Sequence, residues 1–356
     1  MSEQNRVRPA TAGEQKRALD LQANSFDILR IIAALSIIST HLLAHIPPSG
    51  ETLKSSLSYF NGYFYGVVTF FAISGFLIPR SIERSTSFSS FIRKRILRLY
   101  PGLWCAFFVS FAVIMLLYHP QLNLKRILVW FSTQLTFFQV YTPGWLRDYG
   151  NGTPNGALWT IVVELQLYVV SWLLNNKLKK FSDSQWGIAI AAATVLNLVC
   201  GAVQNAVPHI VYRMIFVSFI PYLYIYLIGM FLYYRRDNVL LWLSERWVGV
   251  LVFYTAWMTI FHFFLPQMPG FYAPVHIGLT LPVMIMAAAY GLGKHRLKHE
   301  ISYGMYLYHF IVINALIQTG VTDGVKAALI TVPIAGLMGF AQNILIDKPM
   351  GKLRLK

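Results

Sequence analysis

Charge is what this sequence has least of. Only 12% of its 356 residues are Asp, Glu, Lys or Arg, against roughly 25% in soluble domains. Acidic residues are scarcest, 14 against 30 basic ones. So little charge excludes an ordinary water-soluble surface. Cysteine is sparse too. Cys105 and Cys200 both sit in apolar runs, which excludes a disulfide framework and reads as small buried hydrophobes. No Cys-x-x-Cys or His-Glu-x-x-His spacing occurs, so no metal is expected. Long polar segments are missing, which leaves no room for a separate soluble domain. The longest is the tail over residues 1–25, expected to be disordered or interfacial. It lacks the apolar run and cleavage site of a signal peptide. No internal repeat is visible, direct or inverted.

What is present is apolar sequence: 56% hydrophobic residues and a mean hydropathy of +0.52. Apolar runs near the ~20 residues that span a bilayer recur along the chain. They imply an all-α polytopic transmembrane bundle of about ten spans. The spans are expected near 26–45, 62–79, 100–118, 157–175, 186–204, 211–233, 248–266, 274–292, 301–320 and 326–345. The segment 127–141 is short and polar, and charge decides its status. Cytoplasmic segments are enriched in Lys and Arg. If 127–141 does not cross, segments 1–30, 80–98, 177–180, 235–246, 294–298 and 348–356 lie on one side. Together they hold 24 of the 30 basic residues. The segment is therefore expected as a re-entrant or interfacial helix, with both termini cytoplasmic. The net charge of +16 then reflects topology and not nucleic-acid binding. The expected organisation is a cytoplasmic tail over 1–25, a transmembrane domain over 26–347 and a cytoplasmic tail over 348–356.

Ionisable residues inside such spans are costly and mark interiors or water-filled paths. Arg30 and His41 are eleven residues apart. At ~100° and ~1.5 Å per residue they share one helix face about 16 Å apart. That face is expected to line a cavity reaching across much of the membrane. Glu164 lies in the fourth span at a depth close to that of His41, so a contact between them is expected if the two spans are neighbours. His309 lies near mid-membrane, beside Tyr303 and Tyr306. Arg93, Lys94, Arg95 and Arg98 form a dense cationic group, and Arg95 and Arg98 are spaced to converge on one anion. Pro101 follows near an expected helix start. Ser74 and Gly75 place small groups in the second span, suited to close helix packing. The segment "TPGWLRDYGNGTPNG" (142–156) suits carbohydrate contact and an ordinary turn-rich loop equally.

Several of these stretches together resemble the membrane acyltransferase-3 family. "FDILRIIAALSIISTH" (26–41) is similar to its N-terminal signature, with a basic residue, ten residues and a His. "GVVTFFAISGFLI" (66–78), "FIRKRILRLYPGLW" (91–104), "LWTIVVELQLY" (158–168) and "ISYGMYLYH" (301–309) follow in family order. The closing "DKP" is a weaker match. The resemblance covers residues 26–349. It implies an O-acyltransferase that takes an acyl group, usually acetyl, from cytoplasmic acyl-CoA. The acceptor hydroxyl would belong to a surface or exported glycan, such as a lipopolysaccharide O-antigen or exopolysaccharide, in some cases lipid-linked. A bacterial inner membrane is the implied location.

On that reading His41 is the catalytic residue. It is either a general base on the acceptor hydroxyl or an acyl carrier; the sequence leaves both open. Glu164 would orient it. Arg30, Arg93, Arg95 and Arg98 would hold the phosphates of acetyl-CoA, since guanidinium forks suit phosphate oxygens. Trp159, Tyr303, His309 and Ser74 are the expected substrate contacts. Three other readings compete: acylation of a lipid or small metabolite, a proton-coupled transporter using His41, Glu164 and His309 as a relay, and a non-catalytic membrane partner in a glycan-export complex.

Overall fold

The computed structural model describes residues 18–121 and 123–354. Among these it is helical, with no strand. Residues 1–17 of the expected N-terminal tail lie outside the described residues. The rest of that tail is packed: Ser25 is fully buried, and its hydroxyl donates to the Gly293 carbonyl at 2.7 Å.

Helix α1 (Phe26–His45) crosses the bundle and is followed by α2 (Glu51–Tyr63) and α3 (Gly66–Glu83). Then come α4 (Phe88–Leu117) and the short α5 (Leu124–Leu135). After a long loop run α6 (Trp159–Leu178) and α7 (Asp183–Val203). Two bent pairs follow. Helix α8 (His209–Phe216) meets α9 (Leu223–Tyr234) at 48°, and α10 (Leu241–Glu245) with its preceding π turn meets α11 (Trp247–Phe263) at 76°. The chain closes with α12 (Val275–Gly291), α13 (Ser302–Gln318), α14 (Gly324–Gln342), a π turn, and α15 (Lys348–Arg354). Side-chain caps start several of these helices. Ser87, Asn123 and Asp323 accept from backbone N–H groups in the first turns of α4, α5 and α14. Ser182 and Gln185 form a reciprocal capping box on α7.

Each expected span falls on a helix or bent pair. By length and composition five helices are able to cross a membrane, or seven with each bent pair counted once. The other three expected spans are α6, α12 and α13. Helix α6 has 20 residues but carries Glu164 and Gln166, and α12 and α13 have 17 residues each, so length and composition do not fix the count at ten. Helix α5 has 12 residues, about 18 Å of helix, too short to cross, as its polarity implied. Large apolar side chains stay exposed on α7, α11 and α14, among them Ile188, Val195, Val252, Phe253, Leu329 and Leu337. So much outward apolar surface belongs against lipid.

Three features differ from expectation. Residues 88–98 are the first turns of a 30-residue helix and not a loop, so Pro101 sits in the interior of α4. Helix α2 had no counterpart, being amphipathic with no buried residue. Lys348–Arg354 of the expected C-terminal tail form the helix α15, packed against α4, and residues 355–356 lie outside the described residues.

Helix α3 is the centre of the larger core and packs on α9, α1, α12 and α6. Helix α13 centres a second group with α14, α1 and α4. Helix α1 joins the two. Its Phe26, Leu29 and Ile37 belong to the first core, and its Ala34, Ile38 and Leu42 to the second. The tightest crossing is α3 on α9. A Cβ on Gly75 would run into the Tyr226 backbone, and one on Gly229 would meet the backbone of Ala72 and Phe76. Glycine on both sides lets the two backbones touch. Gly229→Leu is therefore expected to destabilise the bundle by at least the ~1–3 kcal/mol of an overpacked core. Monodisperse yield after detergent extraction measures this, with Gly336→Leu, which has open space around its Cβ, as the tolerated control.

Candidate active site

Helix α1 runs from an end rich in basic residues towards the opposite end, and polar side chains line cavities along this path. The basic end opens into a mouth of about 320 Å³ lined by Arg30, Arg98, Glu300, Tyr303, Asp347 and Lys348. Further in lies a narrow chamber of about 90 Å³, walled by Arg30, Arg95, Arg98, Ser74, Glu164 and Glu300. A third cavity of about 470 Å³ occupies the opposite half and is lined by Thr40, His41, Asn61, Tyr65, Trp159 and Tyr272. Arg30 and His41 thus line separate chambers, not the continuous cavity expected from their shared face. Tyr306 and Val67 stand between them.

The two membrane histidines meet. His41 Nδ1 lies 2.7 Å from His309 Nε2, and the rings are parallel with centroids 5.0 Å apart. His309 is fully buried, and its Nδ1 lies 3.2 Å from the Met305 carbonyl. A carbonyl only accepts, so in the neutral pair His309 Nδ1 carries the hydrogen and its Nε2 is bare. His41 Nδ1 must then donate to that nitrogen. The remaining lone pair of His41 is on Nε2. This histidine lines the larger cavity with a fixed tautomer and orientation, the arrangement that prepares an imidazole to take a proton. Phe310 lies edge-on to His41, at 4.9 Å.

Glu164 is elsewhere. It accepts from Ser74 Oγ at 2.9 Å and from the Tyr168 hydroxyl. The expected His41–Glu164 contact is not among the hydrogen bonds of the described residues. The reason is packing: α3 lies against both α1 and α6, so the two spans are not direct neighbours. Ser74 is a ligand to this carboxylate, while the adjacent Gly75 does the close packing.

Arg30, Arg95 and Arg98 share the inner chamber with Glu164 and Glu300. Asp27 also pairs with Arg30, at 3.8 Å, so three carboxylates meet the three guanidinium groups. Arg95 donates to Ser81 Oγ at 3.0 Å, while its Nε is buried with no partner in the protein. A buried orphan donor on a guanidinium group fits an anionic ligand. Arg93 was expected in this group but is exposed and away from the chamber. Two residues before Arg95 is ~200° around the helix, so it faces outward. Lys94 is also diverted, bonding the Arg84 carbonyl at 3.1 Å. Tyr303 lines the mouth and the inner chamber, its hydroxyl on the Leu99 carbonyl at 2.7 Å.

Trp159 opens α6 at the wall of the larger cavity, 5.4 Å from Tyr272, which in turn lies 6.4 Å from Tyr65. The loop over 142–156 lines little of it. It folds onto α13 instead, held by Asn314, which is fully buried. Asn314 Oδ1 accepts from Asn151 N at 3.0 Å, and its Nδ2 donates to the Thr153 and Pro154 carbonyls at 2.8 and 3.1 Å. Asn151 Nδ2 meets His45 Nε2 at 3.1 Å, and the His45 ring stacks 6.4 Å from His41. The loop is a cover for the histidine pair. Tyr149 is buried in the same loop, which pushes its phenol up to about 12.

Asn61, Tyr65, Tyr272, Glu300 and Asn314 were not picked out from sequence. Glu300 had a signal, since it directly precedes "ISYGMYLYH". Asn314, a polar residue in an apolar span, had another. Asn314→Ala removes three hydrogen bonds, each worth about 0.5–1.5 kcal/mol net. Amide exchange over residues 149–155 should accelerate at least several-fold; unchanged exchange would show that Asn314 does not hold the cover.

A family profile described as an acyltransferase domain, acyltransferase-3, matches residues 23–346. The chain is 30% identical over 325 residues to nodulation protein 10 of Rhizobium leguminosarum bv. viciae, covering 83% of this chain and 84% of that one. It is 27% identical over 166 residues to an O-acetyl transferase of Shigella phage Sf6, covering 44% and 47% of the two chains. It is 25% identical over 173 residues to a peptidoglycan O-acetyltransferase of Listeria monocytogenes, covering 43% of this chain and 26% of that one. No solved structure matches.

Proposed function

Since this chain belongs to the acyltransferase-3 family and is an O-acetyltransferase by kind, we propose that it moves an acetyl group from cytoplasmic acetyl-CoA to a hydroxyl of a surface or exported glycan. The observation that carries this reading is His41, fixed by His309 and lining a roomy cavity on the far side of a buried arginine cluster. The basic end faces the cytoplasm, as the bias of Lys and Arg requires, and the membrane is the bacterial inner membrane.

Arg30, Arg95 and Arg98 hold the donor's phosphates at the mouth and inner chamber. The unpaired Arg95 Nε supports this assignment. Glu164 and Glu300 keep the guanidinium groups from repelling one another when the chamber is empty. Tyr65, Trp159 and Tyr272 offer flat aromatic faces to a sugar ring, and Asn61 and Thr40 add polar edges. Relatives named for nodulation and for peptidoglycan O-acetylation support a glycan acceptor.

His41 Nε2 takes the proton of the acceptor hydroxyl as its oxygen bonds to the thioester carbon. His309 Nε2 accepts from His41 Nδ1 throughout and steadies the imidazolium that forms. Collapse of the tetrahedral intermediate breaks the C–S bond, and the proton on His41 goes to the departing thiolate. Ester and CoA thiol leave, and His41 is neutral again.

Glycan O-acetylation in cells, read by mass and NMR, tests the reading. His41→Ala should match a gene deletion while reaching the membrane normally; full acetylation in that variant would remove His41 from the chemistry. In purified protein His41→Ala should lower turnover on the order of 10²–10⁴-fold. His309→Ala should lower kcat with little change in either KM. Arg95→Ala and Arg98→Ala should instead raise KM for acetyl-CoA, and unchanged KM in both would move the phosphates elsewhere.

A further inference from the structure

The chambers are in series, and Tyr306 and Val67 are the residues that line both the inner chamber and the larger cavity. Tyr306 is 6% exposed. Its hydroxyl donates to the Ala157 carbonyl and lies 2.5 Å from Thr160 Oγ1. A phenol has one hydrogen, so with that hydrogen on Ala157 it accepts from Thr160. The ring, carried by α13, is thereby tied to the start of α6 across the gap between the two helices. Phe70 meets it edge-on at 5.9 Å, and His309 lies 6.0 Å behind it. Glu164 and the arginines are on one side of this ring; His41 is on the other.

We propose that Tyr306 is a gate between the donor and acceptor chambers. This rests on the acetyl-CoA reading above. Latched, the ring keeps acceptor-side water from the thioester. Swung aside, it opens a passage one aromatic ring wide, bounded by Val67 and Phe70. The latch is weak enough to open in turnover, because two hydrogen bonds and no ion pair hold it.

The gate is tested without relying on turnover. Native Cys105 and Cys200 are replaced by Ser, and single cysteines are placed at Leu77, which lines the inner chamber, or Leu43, which lines the larger cavity. A membrane-impermeant thiosulfonate is added from the acceptor side of sealed vesicles. Leu43→Cys should label and Leu77→Cys should not. Adding Tyr306→Ala should make Leu77→Cys label at least tenfold faster, with Tyr306→Phe, which keeps the ring and loses the latch, in between. Unchanged Leu43→Cys labelling confirms that the variants are folded. Leu77→Cys labelling that does not depend on residue 306 overturns the gate.

A second arm uses purified protein without acceptor. Tyr306→Ala should speed hydrolysis, in which water adds to the thioester carbon and the C–S bond breaks to give acetate and CoA thiol. Unchanged hydrolysis overturns the ring's role as a barrier to water. If the parent protein does not use acetyl-CoA at all, the donor assignment fails, and the labelling result still decides whether Tyr306 separates the chambers.

Discussion

An ionisable group inside a bilayer must be matched by another group, because no solvent is there to do it. The interior of this bundle is arranged around that demand. At the basic end the match is electrostatic: arginines and glutamates share a chamber, and hydroxyls of Ser74, Ser81 and Tyr168 complete the set. Near the other end it is by hydrogen bonds alone, a relay from the Met305 carbonyl through His309 to His41. The two solutions suit two tasks. A mixed-charge chamber with an unpaired guanidinium donor suits an anion. A neutral histidine pair suits a proton.

Packing keeps the two regions apart and in register. Helix α1 belongs to both cores, so Arg30 and His41 are fixed on one rigid rod while facing different chambers. Helix α3 separates α1 from α6, which holds Glu164 at the basic side. The Gly75 and Gly229 contact draws α9 onto α3, making that half of the bundle a solid wall against which α13 can close.

Fold class was legible because the bilayer imposes its length and apolarity on each span. Arg30, His41, Glu164 and His309 were legible as polar residues in costly positions. Their partners were not. His41 and His309 are 268 residues apart, and nothing local in either helix signals the other. Depth alone favoured Glu164 for His41, but depth is silent on which helices are neighbours. The arginine group was half legible. Helical spacing correctly pairs Arg95 with Arg98, and the same geometry turns Arg93 outward once the segment is a helix. Helix α2 escaped notice because its apolar residues are few and none is buried. The cavity wall of Asn61, Tyr65 and Tyr272 escaped for a related reason, since it joins the α2–α3 corner to a loop some two hundred residues later.

The histidine pair also ties activity to biogenesis. His41 is in α1 and His309 in α13, far later in the chain, and the loop beside them is held by Asn314 of that later helix. Chains are built from the N-terminus, so throughout synthesis His41 waits in the bilayer with its tautomer unset and its cavity open above. The partner, the anchor of the loop and Tyr306 all arrive together with α13. Until α13 packs, His41 has neither the nitrogen that fixes its tautomer nor the residue that holds the loop beside it, so the site is an all-or-none product of assembly.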